Sequence, residues 1–414
     1  MENERWNFWV NILDLSFITL GSALVSRETV MPLLVSRLTD SNIAIGAISS
    51  VFTLGLLLPQ LFVANFSERL VRKKPFVMVL GGLGERLPFL LIGVAVWVFG
   101  RSHPGIALAA FFFFLAASAV CNGIATPAWF DMIAKVIRVE RRGLFSGLSH
   151  SMGAGMAALS AAGVGLILGR VSFPRNFAIL FALSFVAAAI SWGGLALNRE
   201  PDSPSIKPRV THREYFRRLP SLLRSDRNYR RFLVFESLIH VGAMANGFFM
   251  VGAVRRFGVD STWVGVYTGS LAATQALMYL VWGGIADRFG HKTVLVCGAS
   301  ALVLGNIVGF FAQSPFLYTV SFIGMGLFLA AEMVSRMNIT LEFCKPEDRP
   351  TFIGITNTVV APSVAIAPII GGVIAGLLGY RGLIGLGAGV LLIAVAGMVF
   401  AVADPRVRSR SGSV

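Results

Sequence analysis

The sequence predicts an all-α membrane protein of twelve transmembrane helices in two pseudo-symmetric six-helix bundles. Three observations predict it. Apolar stretches long enough to cross a bilayer recur along nearly the whole chain, basic residues gather on alternate loops, and a loop pattern returns half a chain later. Of 414 residues, 55% are hydrophobic and 14% charged, where a soluble domain carries roughly 25% charge. A bilayer core about 30 Å thick needs roughly 20 mainly apolar helical residues to cross it.

Such stretches place spans at about 8–33, 43–66, 76–99, 105–130, 144–169, 174–197, 231–254, 261–285, 293–312, 315–340, 352–378 and 382–403. The start, Met1-Glu2-Asn3-Glu4-Arg5, is partly acidic, and no small-residue cleavage site follows the first apolar run. That run therefore reads as a permanent span rather than a removed signal.

The net charge of +15 would suggest nucleic acid in a soluble protein. Here topology explains it, and no nucleic-acid partner is expected. With the N-terminus inside, inner loops and termini carry 26 Lys and Arg and outer loops carry seven. Positive residues collect on the cytoplasmic side, so both termini are expected there, in a multi-pass protein of the cell membrane. Segment 198–230 opens with Pro201-Asp202-Ser203-Pro204-Ser205 and continues basic and amphipathic. Tyr215, Phe216, Leu219, Leu222 and Leu223 can share a helical face while Arg213, Arg217, Arg218 and Arg224 reach lipid headgroups. It is expected to be a cytoplasmic linker between an N-terminal bundle (1–197) and a C-terminal bundle (231–414). A partner-binding helix would look similar.

The halves repeat. Gly46 and the run Ala64 to Lys73 correspond to Gly265 and the run Gly283 to Lys292, with the same spacing along the chain in both cases. Arg142 and Gly147 answer Arg349 and Gly354, again as a pair with one common spacing. Two six-helix units in the same orientation form a parallel repeat known among transporters.

The second copy, Gly283-x-x-x-Asp287-Arg288-x-Gly290-x-Lys292, resembles the signature of the major facilitator superfamily. The first copy keeps Arg69 and Lys73, but has Ala64 for Gly, Glu68 for Asp and Val71 for Gly. The resemblance implies alternating access, two bundles rocking around a central cavity lined by helices 1, 4, 7 and 10 of the twelve. It gives these loops a role in holding one conformer. Small residues permit the turn, and the bases can bind carbonyls or an acid such as Asp131. Proton-linked drug exporters of the superfamily carry an Arg in the fourth helix and a Gly-Pro pair in the fifth. Neither is present here, although Ala367-Pro368-Ile369-Ile370-Gly371-Gly372 is similar to that pair in the other half. No subfamily is assigned.

An ionisable residue inside a span costs roughly 2.5–3.5 kcal/mol at its centre on insertion scales, so each needs a reason. The candidates on the implied cavity helices are Asp14, Glu236, His240, Glu332 and Arg336. Glu236/His240 and Glu332/Arg336 are i,i+4 pairs, each sharing one helix face. A helix rises about 1.5 Å per residue, which places all five in one layer of the cytoplasmic half. Three readings remain open: substrate and proton coupling, a gate of salt bridges, or plain structural pairing. One specific expectation is a cross-half Asp14–Arg336 pair in the conformer whose cavity is closed to the cytoplasm. Glu85 and Arg86 read better as an intramembrane pair with neighbouring helices. Arg27 and Glu28 suit an outer gate or an interface pair, and His150 a packing or headgroup role.

Other chemistry is missing. There is no phosphate-binding G-x-x-x-x-G-K-[ST] loop and no cluster with metal-ligand spacing. Cys121, Cys297 and Cys344 lie far apart. Neither a cofactor nor an enzymatic activity is expected, since no nucleophile–base arrangement stands out. A secondary active transporter of a small organic solute, ion-coupled and monomeric, in contact with membrane lipids, fits best. A lipid or lysolipid flippase is the alternative, weakly permitted by Phe111 to Phe114 and the basic linker. A transporter-like ligand sensor is a third reading.

Overall fold

The computed structural model describes residues 2–67, 70–138, 141–201, 226–344 and 349–406. Most of the expected linker helix (202–225), together with Glu68 and Arg69, lies outside the described residues. The chain runs α1 Glu2–Leu24, α2 Val30–Leu38, α3 Asn42–Ser67, α4 Lys74–Phe99, α5 Pro104–Val136, α6 Arg142–Arg170 and α7 Arg175–Ala196. The second half runs α8 Arg227–Phe257, α9 Ser261–Phe289, α10 His291–Phe311, α11 Pro315–Glu342 and the segment Arg349–Ala401. That last segment is two helices. Gly379 adopts φ 71°, which turns the chain and separates α12 from α13. Among the described residues there are no strands.

Among the described residues eleven stretches are long and apolar enough to cross a membrane, and the bend at Gly379 makes twelve. Burial is inverted relative to a soluble protein. Phe113, Leu159 and Phe400 are 68%, 84% and 88% exposed, while Asp14, Lys73, Arg86 and Glu236 are buried. Lipid replaces water around the apolar rim, and backbone polar groups are satisfied within each helix.

Helix ends follow local chemistry. The Asp226 carboxylate accepts from the amides of Asn228 and Tyr229, starting α8. Asp260 does the same for Thr262 and Trp263 at α9, and Ser314 accepts from the Leu317 amide at α11.

The first predicted span, 8–33, is corrected: α1 ends at Leu24, and residues 25–29 break the helix before α2. The second half repeats this break. Helical geometry in α8 gives way to a 3₁₀ stretch at Ala243–Phe248 and resumes over Phe249–Phe257. Val30–Leu38 and Phe249–Phe257 are equal in length and stand at the same spacing as Gly46 and Gly265. Helix α4 contains a π-helical turn, Leu80–Arg86, an irregularity that often marks a functional site.

The repeated glycines explain how the halves touch. A Cβ on Gly46 of α3 would fall 2.7 Å from the Pro368 carbonyl carbon of α12, and closer still to its oxygen. A Cβ on Gly265 of α9 would fall 3.0 Å from the Ala161 oxygen and 3.4 Å from the Gly165 Cα of α6. The first crossing needs a residue without a side chain, and the second is tight enough to favour one. They lie at the end of the bundle away from the termini. So do the cross-half hydrogen bonds Thr268–Thr29 (3.1 Å) and Tyr380–Asn42 (2.5 Å), and the Arg255–Asp40 ion pair (3.6 Å). Further toward the termini, the rings of His150 and Tyr279 pair across the halves at 5.6 Å.

Candidate functional site

The five candidate residues divide into a cluster in each half. In the first half the carboxylate of Asp14 (α1) lies 3.3 Å from Arg86 Nη2 (α4) and accepts from Ser191 Oγ (α7) at 2.6 Å. Arg86 spends every arm of its guanidinium. Nη2 also donates to Ser191 Oγ (2.9 Å), Nε to the Ala188 carbonyl (3.0 Å), and Nη1 to the Gly81 carbonyl (2.7 Å). Nη1 also lies 3.3 Å from Glu85 Oε2. Glu85 Oε1 in turn accepts from Asn122 Nδ2 of α5 at 2.7 Å. The π-helical turn changes the angular step between successive residues, so Glu85 faces α5 while Arg86 faces α1 and α7. Asp14, Glu85, Arg86 and Asn122 border a cavity of about 230 Å³, with Trp129 and Phe130 in its wall.

The Asp14–Arg336 pair, expected for the conformer closed to the cytoplasm, is not formed in this one: Asp14 pairs within its own half, and Arg336 Nε lies 3.8 Å from Glu332 Oε2. The reason is energetic: a buried carboxylate stranded without a counter-charge is very costly, and Arg86 is the cation that the same half supplies. The expectation of an Arg86 pairing with neighbouring helices holds. The missing clue was the buried acid and the buried base already present in one half. Arg27, left between two readings, stacks over the Phe52 ring at 4.0 Å, and the Glu28 amide donates to Ser26 Oγ beside it.

In the second half, Glu236 and His240 of α8 meet Glu332 and Arg336 of α11. His240 Nε2 lies 3.4 Å from Glu332 Oε2 and 3.7 Å from Glu236 Oε1. These are too long to be good hydrogen bonds. Both oxygens of Glu236, Nε2 of His240 and Oε2 of Glu332 are buried without a hydrogen-bond partner. Glu236 has no exposed surface. Buried polar atoms are nearly always paired, so four orphans in one cluster set this place apart.

The two signature loops use different solutions. In the first, Lys73 Nζ lies 3.3 Å from Asp131, and also donates to the Leu70 carbonyl. That is the acid the sequence suggested. Sequence reasoning missed Glu200, just past α7. It accepts from the amides of Lys73 (3.0 Å) and Lys74 (2.8 Å) at the start of α4, and from Lys135 Nζ (2.9 Å). Its carboxylate sits at a helix N-terminus, where the dipole favours negative charge. In the second loop, Gly290 adopts φ 87°. A Cβ there would lie 2.9 Å from the carboxylate of Asp404, the acid that follows α13 as Glu200 follows α7. Arg406 Nη1 donates to the Ala286 carbonyl at 2.8 Å, and Lys292 Nζ to the Val399 carbonyl at 3.1 Å. Gly283 has open space around it, and the side chains of Asp287 and Arg288 are exposed.

Two helical bundles in parallel repeat meet at one end and each holds buried charges, and a sequence profile decides the family. The profile described as Major Facilitator Superfamily matches residues 16–255 and 232–414. The chain belongs to this superfamily. Over 138 residues it is 28% identical to the multi-drug resistance efflux pump PmrA of Streptococcus pneumoniae, a match covering 32% of this chain and 34% of that protein. The chain thus spans about a third of the length of the curated relatives it matches.

Solved superfamily structures align over nearly the whole chain. A variant of the nucleoside transporter NupG aligns with TM-score 0.73 at 13% identity, over 95% of this chain and 99% of that one. A D-xylose-proton symporter aligns with TM-score 0.71 at 14% identity, over 98% and 99%. A bacterial homologue of the human lysosomal transporter Spinster, inward-facing and unoccupied, aligns with TM-score 0.66 at 16% identity, over 99% and 97%. At these identities the likeness shows the fold.

Proposed function

We propose that the protein moves a small organic solute across the cell membrane by alternating access, coupled to a cation taken up at the Glu236–His240–Glu332–Arg336 cluster. Both termini face the cytoplasm, and the conformer described is sealed on the outer side. One observation carries this reading. The close helix crossings and polar contacts between the halves collect at the end away from the termini, while each half holds buried charges in the membrane-spanning part. A rocking motion would have to open the Gly46–Pro368 and Gly265–Ala161 crossings. The signature loop around Asp287, exposed in this conformer, would engage in the opposite one.

The test uses a chain whose native cysteines, Cys121, Cys297 and Cys344, are replaced. Thr29→Cys with Thr268→Cys joins positions whose hydroxyls lie 3.1 Å apart across the halves. Oxidation should lock the outer seal and stop transport in proteoliposomes, and a reductant should restore it. Imposed proton, sodium and metal-ion gradients, applied in turn across a substrate panel, identify the coupling ion. A fully cross-linked protein that still transports at the uncross-linked rate would remove the alternating-access reading.

A further inference from the structure

We propose that Glu236, His240 and Glu332 form a binding site for a divalent transition-metal ion. This deepens the proposal that the cluster takes up a cation, and rests on it. The argument begins with geometry. One oxygen from each carboxylate and Nε2 of the imidazole lie within 4.8 Å of one another. In a tetrahedral site with metal–ligand distances of about 2.1 Å, neighbouring ligand atoms sit about 3.4 Å apart. The observed separations from His240 Nε2 are 3.4 and 3.7 Å. They are long for hydrogen bonds and match the edges of such a site.

The second argument is the unpartnered Glu236. Its side chain is fully buried and neither oxygen accepts a hydrogen bond. Both oxygens belong to a residue four positions before His240, so acid and imidazole project from the same face of α8. Glu332 approaches from α11. A buried carboxylate without a donor, beside a second carboxylate, is unfavourable unless a cation or proton lies between them.

The donor set then selects the ion. Two carboxylate oxygens with an imidazole nitrogen suit zinc, manganese, iron or cobalt. Magnesium and calcium prefer oxygen alone and more ligands. Arg336 stands against the site, since its Nε lies 3.8 Å from Glu332 Oε2. Its side chain is 37% exposed, however, so the guanidinium can withdraw toward solvent when the ion enters. The alternative occupant is a proton shared between the two carboxylates. Sequence spacing alone showed no metal site because the third ligand, Glu332, lies three helices beyond His240 in the chain order α8 to α11 and reaches it only in the fold.

The test uses the full chain purified in detergent, with any affinity tag removed and metal stripped by chelator. Calorimetric titration with Zn²⁺, and Co²⁺ titration followed by its tetrahedral visible bands, should each show one equivalent bound. Glu236→Gln, nearly isosteric, and His240→Asn should abolish that equivalent while leaving a monodisperse protein. Arg336→Gln should keep it, and Mg²⁺ at the same concentration should not compete. Saturable binding lost in both ligand variants supports the site. Absence of binding in the parent chain, or binding unchanged in Glu236→Gln and His240→Asn, overturns it. If the metal fails to bind while a proton gradient still drives transport through Glu236, the cation-coupling proposal survives and only the metal is wrong. If neither drives transport, the coupling proposal falls as well.

Discussion

Replacing Gly46 by Ala adds one methyl group at the tightest crossing between the halves. That methyl would lie 2.7 Å from the Pro368 carbonyl carbon and 3.2 Å from the Ile369 nitrogen. Carbon contacts are optimal at about 3.5–4.0 Å, so α3 and α12 must separate by roughly 0.8 Å or more. The obstacle is backbone on a packed helix, which cannot swing aside as a flexible side chain does. Overpacking of this kind costs about 1–3 kcal/mol, and the cost falls only on the conformer in which this crossing is closed. The equilibrium should therefore shift toward the other conformer by about 5- to 150-fold. The assay is maleimide labelling of Thr268→Cys, 3% exposed at the seal, in a chain otherwise free of cysteine. Gly46→Ala should accelerate labelling by that factor. Gly265→Ala, whose added methyl would lie no closer than 3.0 Å to a neighbour, should have a smaller effect. Gly163→Ala, with nothing within 4 Å, should have none. Parental labelling in Gly46→Ala, or an equal effect in Gly163→Ala, would refute the reasoning.

Arg86→Ala strands the buried Asp14 carboxylate and should cost about 3–5 kcal/mol, read as a large loss of thermal stability in detergent. Asp14→Asn with Arg86→Gln should be less than additive, whereas Asp14→Asn with Arg336→Gln should be additive, because those residues belong to separate clusters. Glu200→Gln removes a charge shared by two helix-terminal amides and Lys135; it should lower the unfolding temperature more than Asp287→Asn, whose side chain is exposed, while Asp287→Asn should slow transport more. Impermeant thiol reagents applied to intact cells should label single cysteines in the Arg255–Asp260 loop but not in the 198–230 linker, and labelling of the linker from outside would reverse the proposed topology.

The fold was legible in the sequence because a membrane imposes one-dimensional constraints. The length of each apolar run follows from bilayer thickness, and backbone groups inside lipid must pair within their own helix. The repeat, too, was readable: Gly46 and Gly265 stood out as equivalent positions of the two halves before their role as helix crossings was visible. Lys73 with Asp131 was another such case, since the loop's bases had few acids within reach. The pairing of buried charges was not readable. Depth along a helix follows from residue number, but the direction a side chain takes depends on irregularities such as the π-helical turn at Leu80–Arg86, which aims Arg86 at Asp14. The break at 25–29 falls on the polar run Ser26-Arg27-Glu28-Thr29, whereas the one at Ala243–Phe248 holds no charged residue. Glu200 looked like the first acid of a linker until the start of α4 was found against it. The sequence by itself determined how many times the chain crosses the membrane, its internal repeat and its superfamily, because those depend on local composition and spacing. Only the tertiary structure decided which charges meet, because that depends on the rotation of each helix about its axis and on contacts between residues far apart in the chain.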